Sequence, residues 1–266
     1  MDILTHTISG VAIGTVISSF SKKGIKEQLN IILISGFAGA FPDIDAISLW
    51  SQFDSVFGSI FNLDYKGKVI YSEKFWYSHH AFFHSITASV LFPLIFSFLF
   101  FTLNRKKANF FQYMEYMRSN YLLILGFALG FLIHILEDMP TPSSSWGGVN
   151  LFWPLEQYIG GYGKIWWWNN YDIFLITLLT IFINISLITY SKFKEVNIWK
   201  LTTSVFIGGL IISLLQINTR IFSYKYNNKV DYITLEQKSK DEQKRILGEK
   251  IFMMMEKLDN IIPLYF

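Results

Sequence analysis

Six apolar runs, each close to the length of a membrane-spanning helix, are the feature of this chain that most limits its fold. A helix needs about 17–25 mostly apolar residues to cross the hydrocarbon core of a bilayer. Because backbone groups in lipid must satisfy each other's hydrogen bonds, such runs form helices. The sequence therefore predicts an all-α, polytopic membrane protein with about six membrane-embedded helices. The runs lie at residues 3–20, 29–49, 80–103, 121–137, 171–191 and 200–217.

The overall composition supports this class and excludes several functions. The 266 residues are 52% hydrophobic and 16% charged, whereas a soluble domain carries about 25% charged residues. The chain contains no cysteine, so disulfides, thiolate metal sites and cysteine nucleophiles are excluded. A net charge of +3 is too small to indicate a nucleic-acid partner, and we expect none.

The chain divides into a membrane-embedded domain over residues 1–217 and a charged, amphipathic tail over residues 218–266. Within the tail, residues 234–258 place apolar side chains among charges at helical spacing. The predicted helix would lie on the membrane or pack on the outer loops. The Trp166–Trp168 run has two interpretations, an aromatic belt at the membrane interface or one wall of a lipid-facing substrate groove.

Lysine and arginine in the short connections predict the orientation of the spans. Cytoplasmic loops carry an excess of these residues. Both termini and the two longer loops, at 50–78 and 138–170, are therefore predicted to lie outside the cytoplasm. The basic residues of the three alternate connections are Lys22, Lys23 and Lys26, then Arg105, Lys106, Lys107 and Arg118, and then Lys192, Lys194 and Lys200.

All five histidines and several aspartates fall, on this topology, at the outer face of the membrane. Ionisable residues within membrane spans are costly and mark functional sites. We predict that His80 and His84, four residues apart, share one helix face, as do His134 and Asp138. Pro42 is expected to break the second helix. The residues concerned are His6, Asp43, Asp45, His79, His80, His84, His134 and Asp138.

Histidines and aspartates without cysteine form a nitrogen and oxygen ligand set, which suits Zn²⁺, Mn²⁺ or Fe. The number of candidates is sufficient for one or two ions. Each residue also has a simpler interpretation. A single histidine in an apolar helix is usually a satisfied core residue, and Asp43 and Asp45 could cap the helical segment that follows them. The gathering of every histidine at one face favours metal binding.

Three segments resemble the YdjM-like family of membrane-bound, metal-dependent hydrolases, some of which are LexA-regulated. They are Phe-Pro-Asp-Ile-Asp at 41–45, His-His-Ala-Phe-Phe-His-Ser at 79–85 and the stretch from Gly130 to Pro142. Thr5-His6 and residues 149–154 fit the same family. Its central motif usually reads His-Arg-Gly-x-Thr-His-Ser, so His80 stands here at the arginine position. More distantly, the order of these elements is similar to that of zinc-dependent phospholipases C.

The resemblance implies a hydrolase that cleaves a phosphoric ester of a membrane lipid or lipid-linked substrate with metal-activated water. Asp45 would bridge metals or accept a proton, and His80 would stabilise developing charge or protonate the leaving group. A metal-ion transporter and a protein with a structural metal site are the alternatives. The expected location is the cell membrane, with the site facing the extracytoplasmic side. The expected metal ligands, with zinc as the first choice, are His6, Asp43, Asp45, His79, His84, His134 and Asp138.

Overall fold

The computed structural model describes residues 1–103, 109–194, 196–225 and 231–261. Their regular secondary structure is helical, and the extended pairing among them is limited to two isolated bridges between residues 142–149 and 159–162. The all-α fold class is confirmed. The helices of ten residues or more are α1 (Ile3–Ser19), α2 (Ile25–Ala40), α3 (Ile86–Leu103), α4 (Phe110–Ser119), α5 (Tyr121–Asp138), α6 (Tyr171–Lys194), α7 (Trp199–Asn218) and α8 (Tyr232–Ile261).

Five helical segments are long and apolar enough to cross a membrane, which supports a polytopic membrane protein. One of them, Ile25–Leu49, joins α2 to a 3₁₀ helix at Phe41–Leu49. The apolar helix α1 is shorter, with 17 residues. One predicted boundary is wrong: the third span begins at Ile86, not at residue 80. Ser85 accepts a hydrogen bond from the Ala88 amide at 3.1 Å and so caps the start of α3.

Glycines allow α1, α2 and α5 to pack with their backbones in contact. A side chain at Gly10 or Gly130 would collide with the Ser35 carbonyl oxygen, and one at Gly39 would collide with the His6 carbonyl oxygen. Small residues at such positions let membrane helices approach closely. This packing brings the first turn of α1 against the last turns of α2 and α5.

Further along the bundle, neutral polar side chains join the helices. Asn184 of α6 donates a hydrogen bond to Thr15 at 3.0 Å, and Thr202 of α7 donates to Ser19 at 2.9 Å. Such hydrogen bonds between membrane helices stabilise association by about 0.6 kcal/mol on average. The pairs carry no charge, which distinguishes them from the histidines and aspartates at the other end of the bundle.

The basic connections described by the structure gather at the end of the bundle opposite the histidines. Lys23 donates a hydrogen bond to the Ser119 carbonyl at 2.7 Å, which joins the first basic connection to the end of α4. The ring centroids of Phe20 and Trp199 lie 5.2 Å apart, so the connection between α6 and α7 lies at the same end of the bundle. Arg105, Lys106 and Lys107 lie outside the described residues.

The tail helix α8 packs on the loop before α6, which agrees with the expectation that it contacts the loops rather than lying apart on the membrane. Leu235 lies in an apolar cluster with Trp166 and Tyr224. Trp166 is 0% exposed, so the aromatic-belt interpretation is wrong for this residue. Its neighbours in the run, Trp167 and Trp168, line a cavity described below.

Candidate metal centre

Separate elements bring the histidines and aspartates to one buried place. His6 lies in the first turns of α1, Asp43 and Asp45 lie in the 3₁₀ helix after α2, and His134 and Asp138 close α5. The predicted shared face of His134 and Asp138 is confirmed, because His134 Nε2 lies 3.2 Å from Asp138 Oδ2. The loop before α3 supplies the remaining three histidines: His79, His80 and His84.

Four atoms form the tightest part of the cluster: His84 Nε2, His134 Nε2, Asp43 Oδ1 and Asp138 Oδ2. The two histidine nitrogens are 3.2 Å apart. His84 Nε2 lies 3.7 Å from the Asp43 oxygen and 3.4 Å from the Asp138 oxygen. His134 Nε2 lies 3.5 Å from the Asp43 oxygen. Zn²⁺ with ligands at about 2.0–2.1 Å in a tetrahedron separates neighbouring ligand atoms by about 3.3 Å. These four distances and the 3.2 Å from His134 Nε2 to Asp138 Oδ2 are close to the spacing of zinc ligands. His84, His134 and Asp138 form one compact group of three, and Asp43 forms another with His6 and His134.

Hydrogen bonds on the other ring nitrogen fix how the histidines face this centre. His134 Nδ1 donates to the Gly39 carbonyl at 2.7 Å, and His6 Nδ1 lies 2.8 Å from a carboxylate oxygen of Glu137. With its proton held at Nδ1, a neutral histidine directs the lone pair of Nε2 into the cluster. This arrangement is typical of metal-binding histidines, whose second nitrogen donates to a carbonyl or carboxylate.

Unpaired buried atoms give an independent test of whether a cation fits. Among the described residues, His6 Nε2 and Asp138 Oδ2 are buried without a hydrogen-bond partner. The second oxygen of Asp138 is paired with the terminal ammonium of Met1 at 2.5 Å. Buried polar atoms without partners are costly, and a divalent cation would satisfy both of these. The residues present therefore fit a metal ion.

A second group of possible ligands adjoins the first and shares His84 with it. The ligand atoms of His79, His80 and His84 lie within 4.8 Å of one another. Asp45 lies on the other side of these rings: one oxygen is 2.6 Å from His79 Nδ1 and the other is 3.2 Å from His84 Nδ1. Asp45 thus occupies the position of a carboxylate that orients two histidines.

The loop that carries these histidines is not helical, so the prediction that His80 and His84 share a helix face is wrong. His80 has a φ of 64°, in the left-handed region, and only Phe82–His84 forms a short 3₁₀ turn. The loop is held by the 149–151 segment, since the Asn150 amide donates to the His80 carbonyl at 2.8 Å. The bend at His80 lets the rings of His80 and His84 both face the cluster.

His80 keeps a neutral ring in this environment. Its Nδ1 donates to the Gly148 carbonyl at 3.1 Å. Burial lowers the pKa of His80 well below the usual range of histidine, and the neighbouring His79 and His84 lower this pKa further. A neutral His80 leaves the lone pair of Nε2 available to accept a hydrogen bond or to bind a metal.

Several residues that support the cluster were not identified from the sequence. Ser9 donates a hydrogen bond to Glu137, whose other oxygen holds His6. Tyr71 stacks on His79 with ring centroids 4.6 Å apart, and Trp146 donates from Nε1 to the Tyr71 carbonyl at 2.7 Å. For Glu137, its position in an apolar span next to Asp138 was a signal in the sequence. For the aromatic residues, the sequence carries no comparable signal.

A cavity of about 980 Å³ opens onto the cluster. The cluster residues in its wall are Asp43, His79, His80 and Asp138. The two tryptophans Trp167 and Trp168 line it as well, together with residues of α1, α6 and α8. The cluster is therefore buried within the protein but accessible from this cavity.

The fold and the cluster define the class: a polytopic helical membrane protein whose buried histidines and aspartates could hold a metal ion. A family model described as YdjM inner membrane protein matches residues 1–224. The chain belongs to this family, which confirms the resemblance seen in the sequence motifs. No curated protein and no solved structure matches the chain. The matched residues include the whole cluster, whereas α8 lies beyond their end.

Proposed function

We propose that this protein is a membrane-bound, metal-dependent hydrolase that cleaves a phosphoric ester of a lipid. The observation that carries the proposal is the contact between the cluster and the cavity. Structural zinc sites are closed by four protein ligands, whereas catalytic sites keep a position open to substrate or water. Here Asp43 and Asp138, two of the four tightly spaced residues, also form part of the cavity wall. A purely structural site would have no need of this opening.

We assign one ion to His84, His134 and Asp138, with Asp43 and His6 beside them, which leaves a position for water on the cavity side. Because His84 has only Nε2 free for a metal, His79 and His80 would hold a second ion. When bound, a divalent ion supplies Lewis acidity and lowers the pKa of water towards neutrality. Zinc suits the nitrogen and oxygen ligands, and manganese or iron would be compatible with them.

The chain's own residues would perform three tasks around this chemistry. Asp45 would hold the rings of His79 and His84 in place through their Nδ1 atoms. His80, which is neutral and lines the cavity, would accept a hydrogen bond at Nε2 or bind a metal there. Trp146, whose ring centroid lies 4.6 Å from that of His80, would restrict the water that reaches this ring.

The position of the cluster in the bundle supports the proposed lipid substrate and extracytoplasmic location. The cluster lies at the ends of α1, α2 and α5, opposite the basic connections near Lys23 and Trp199. Because basic loops face the cytoplasm, the cavity would open outside, near the headgroups of the outer leaflet. The transporter alternative would require ionisable groups along the bundle, whereas the buried pairs beyond the cluster, such as Asn184 with Thr15, are neutral.

Hydrolysis of phospholipids in mixed micelles by the purified, zinc-loaded protein tests the proposal. We expect cleavage of a phosphoric ester, seen by ³¹P NMR as a new phosphorus resonance, and its loss after chelation of the metal. His84→Ala should abolish cleavage as well, because His84 belongs to both ligand groups. Release of fatty acid with the phosphoric ester intact, or unchanged cleavage without metal, would refute the proposal.

A further inference from the structure

The cavity above the cluster has an apolar part that the metal chemistry alone does not explain. Three helices contribute apolar side chains to it: Leu4 of α1, Phe174 of α6, and Met255 and Leu258 of α8. Water-soluble phosphoric esters would gain nothing from these side chains. Ligand sites are mostly apolar, with a few polar groups that fix orientation. A cavity with a histidine and aspartate floor and an apolar side fits a ligand that carries both kinds of group.

The helix α8 is an integral wall of this cavity, because buried polar contacts fix it on α6. The side chain of Asp172 accepts hydrogen bonds from Arg220 at 2.8 Å and from Gln243 of α8 at 3.1 Å. Gln243 in turn accepts one from the Asp172 amide at 3.1 Å. Gln243 is 1% exposed. Breaking such a buried network is costly, so the first half of α8 is held firmly.

The second half of α8 has its own attachment next to the apolar part of the cavity. Tyr171 donates a hydrogen bond to Asp259 at 2.8 Å, and the rings of Tyr171 and Phe252 lie 5.9 Å apart. Between the two halves, Gly248 adopts a φ of 74°, a conformation that glycine takes without steric cost. This bend lets both halves of the helix contact α6 while Met255 and Leu258 line the cavity.

We propose that α8 is the specificity wall of the cavity, and that Met255 and Leu258 contact the apolar chain of an amphiphilic phosphate ester. The proposal relies on the proposed function only for the identity of the reacting group. The segment lies beyond residues 1–224, which the family model matches. Substrate selection would therefore depend on a part of the chain outside the family's shared region.

Cysteine protection tests this assignment without any turnover, and the absence of native cysteine makes each introduced thiol unique. Leu258→Cys would be treated with a maleimide in the zinc-loaded protein, with and without decylphosphonate. This probe combines an anionic head with a ten-carbon chain, and its phosphorus–carbon bond resists hydrolysis. We expect the labelling rate to fall by about three- to tenfold at saturation, since pockets bury about 70–90% of a ligand's surface.

Two controls separate chain binding from other effects. Methylphosphonate has the same head without the chain and should leave the labelling of Leu258→Cys unchanged. Met253→Cys, on the same half of α8, is exposed and does not line the cavity, so decylphosphonate should leave its labelling unchanged. Equal labelling of Leu258→Cys with and without decylphosphonate, or equal protection of Met253→Cys, would overturn the proposal. Protection of Leu258→Cys without phospholipid hydrolysis would retain the apolar site and refute only the proposed function.

Discussion

His134→Ala is expected to lose the tightly bound metal of the first ligand group. His134 Nε2 lies within 3.5 Å of one atom each of Asp43, His84 and Asp138, so the variant removes the ligand nearest the centre of the group. Removing an outer partner of a metal ligand lowers affinity by about 10–100-fold, and removing the ligand itself should cost more. Metal per chain, measured by mass spectrometry after dialysis, should fall by at least one ion relative to the zinc-loaded wild type.

A matched control keeps this result specific to the cluster. Leu136→Ala changes the same helix two residues away, at a side chain that is exposed and belongs to neither ligand group. It should retain the metal of the wild type. Since His134 is buried among α1 and α2, thermal unfolding of both variants would confirm that the bundle still forms. Full metal occupancy in folded His134→Ala would remove this residue from the ligand set.

Asp45→Asn is expected to lower hydrolysis strongly at limiting zinc and to recover it at excess zinc. The oxygens of Asp45 face Nδ1 of both His79 and His84. Asparagine is neutral and has only one oxygen, so it cannot accept a hydrogen bond from both rings. Loss of such an orienting carboxylate lowers metal affinity by about 10–100-fold. Phospholipid hydrolysis as a function of zinc concentration should therefore shift to higher zinc while the maximal rate is regained.

The alternative role for Asp45, acceptance of a proton from water, predicts a different curve. Loss of a general base lowers the rate by about 10²–10⁴-fold, and added zinc would not restore it. Asp64→Asn makes the same chemical change at an exposed loop residue and should leave both the rate and its zinc dependence unchanged. A maximal rate that stays low in Asp45→Asn would assign Asp45 to catalysis and contradict the orienting role.

Much of the cluster could be predicted because its histidines and aspartates stand out as ionisable residues in an otherwise apolar sequence. A charged group such as Asp43 inside a membrane span is costly and therefore indicates a functional site. The alternating directions of the spans place His6, Asp43 and His134 at the same membrane face. The pairing of His134 with Asp138 followed from helical periodicity alone. These inferences need only the spacing of residues and the direction of each helix.

The remaining features depend on contacts between segments distant in sequence. The left-handed backbone of His80 follows from the loop that pairs with residues 149–151, and no local pattern signals it. The support that Tyr71 gives to His79 depends on how the long loop before α3 folds back. In the same way, the docking of α8 depends on one amide, Gln243, meeting Asp172 across 71 residues of chain.

X-ray absorption at the zinc edge of the purified, zinc-loaded protein tests the central claim most directly. If the histidines and aspartates hold the ion, the spectrum should show nitrogen and oxygen ligands at about 2.0–2.1 Å, with the outer-shell scattering of imidazole rings. His134→Ala should reduce that imidazole signal, and Leu136→Ala should leave it intact. Zinc surrounded by water oxygens alone, or zinc that does not remain with the folded protein, would contradict the account.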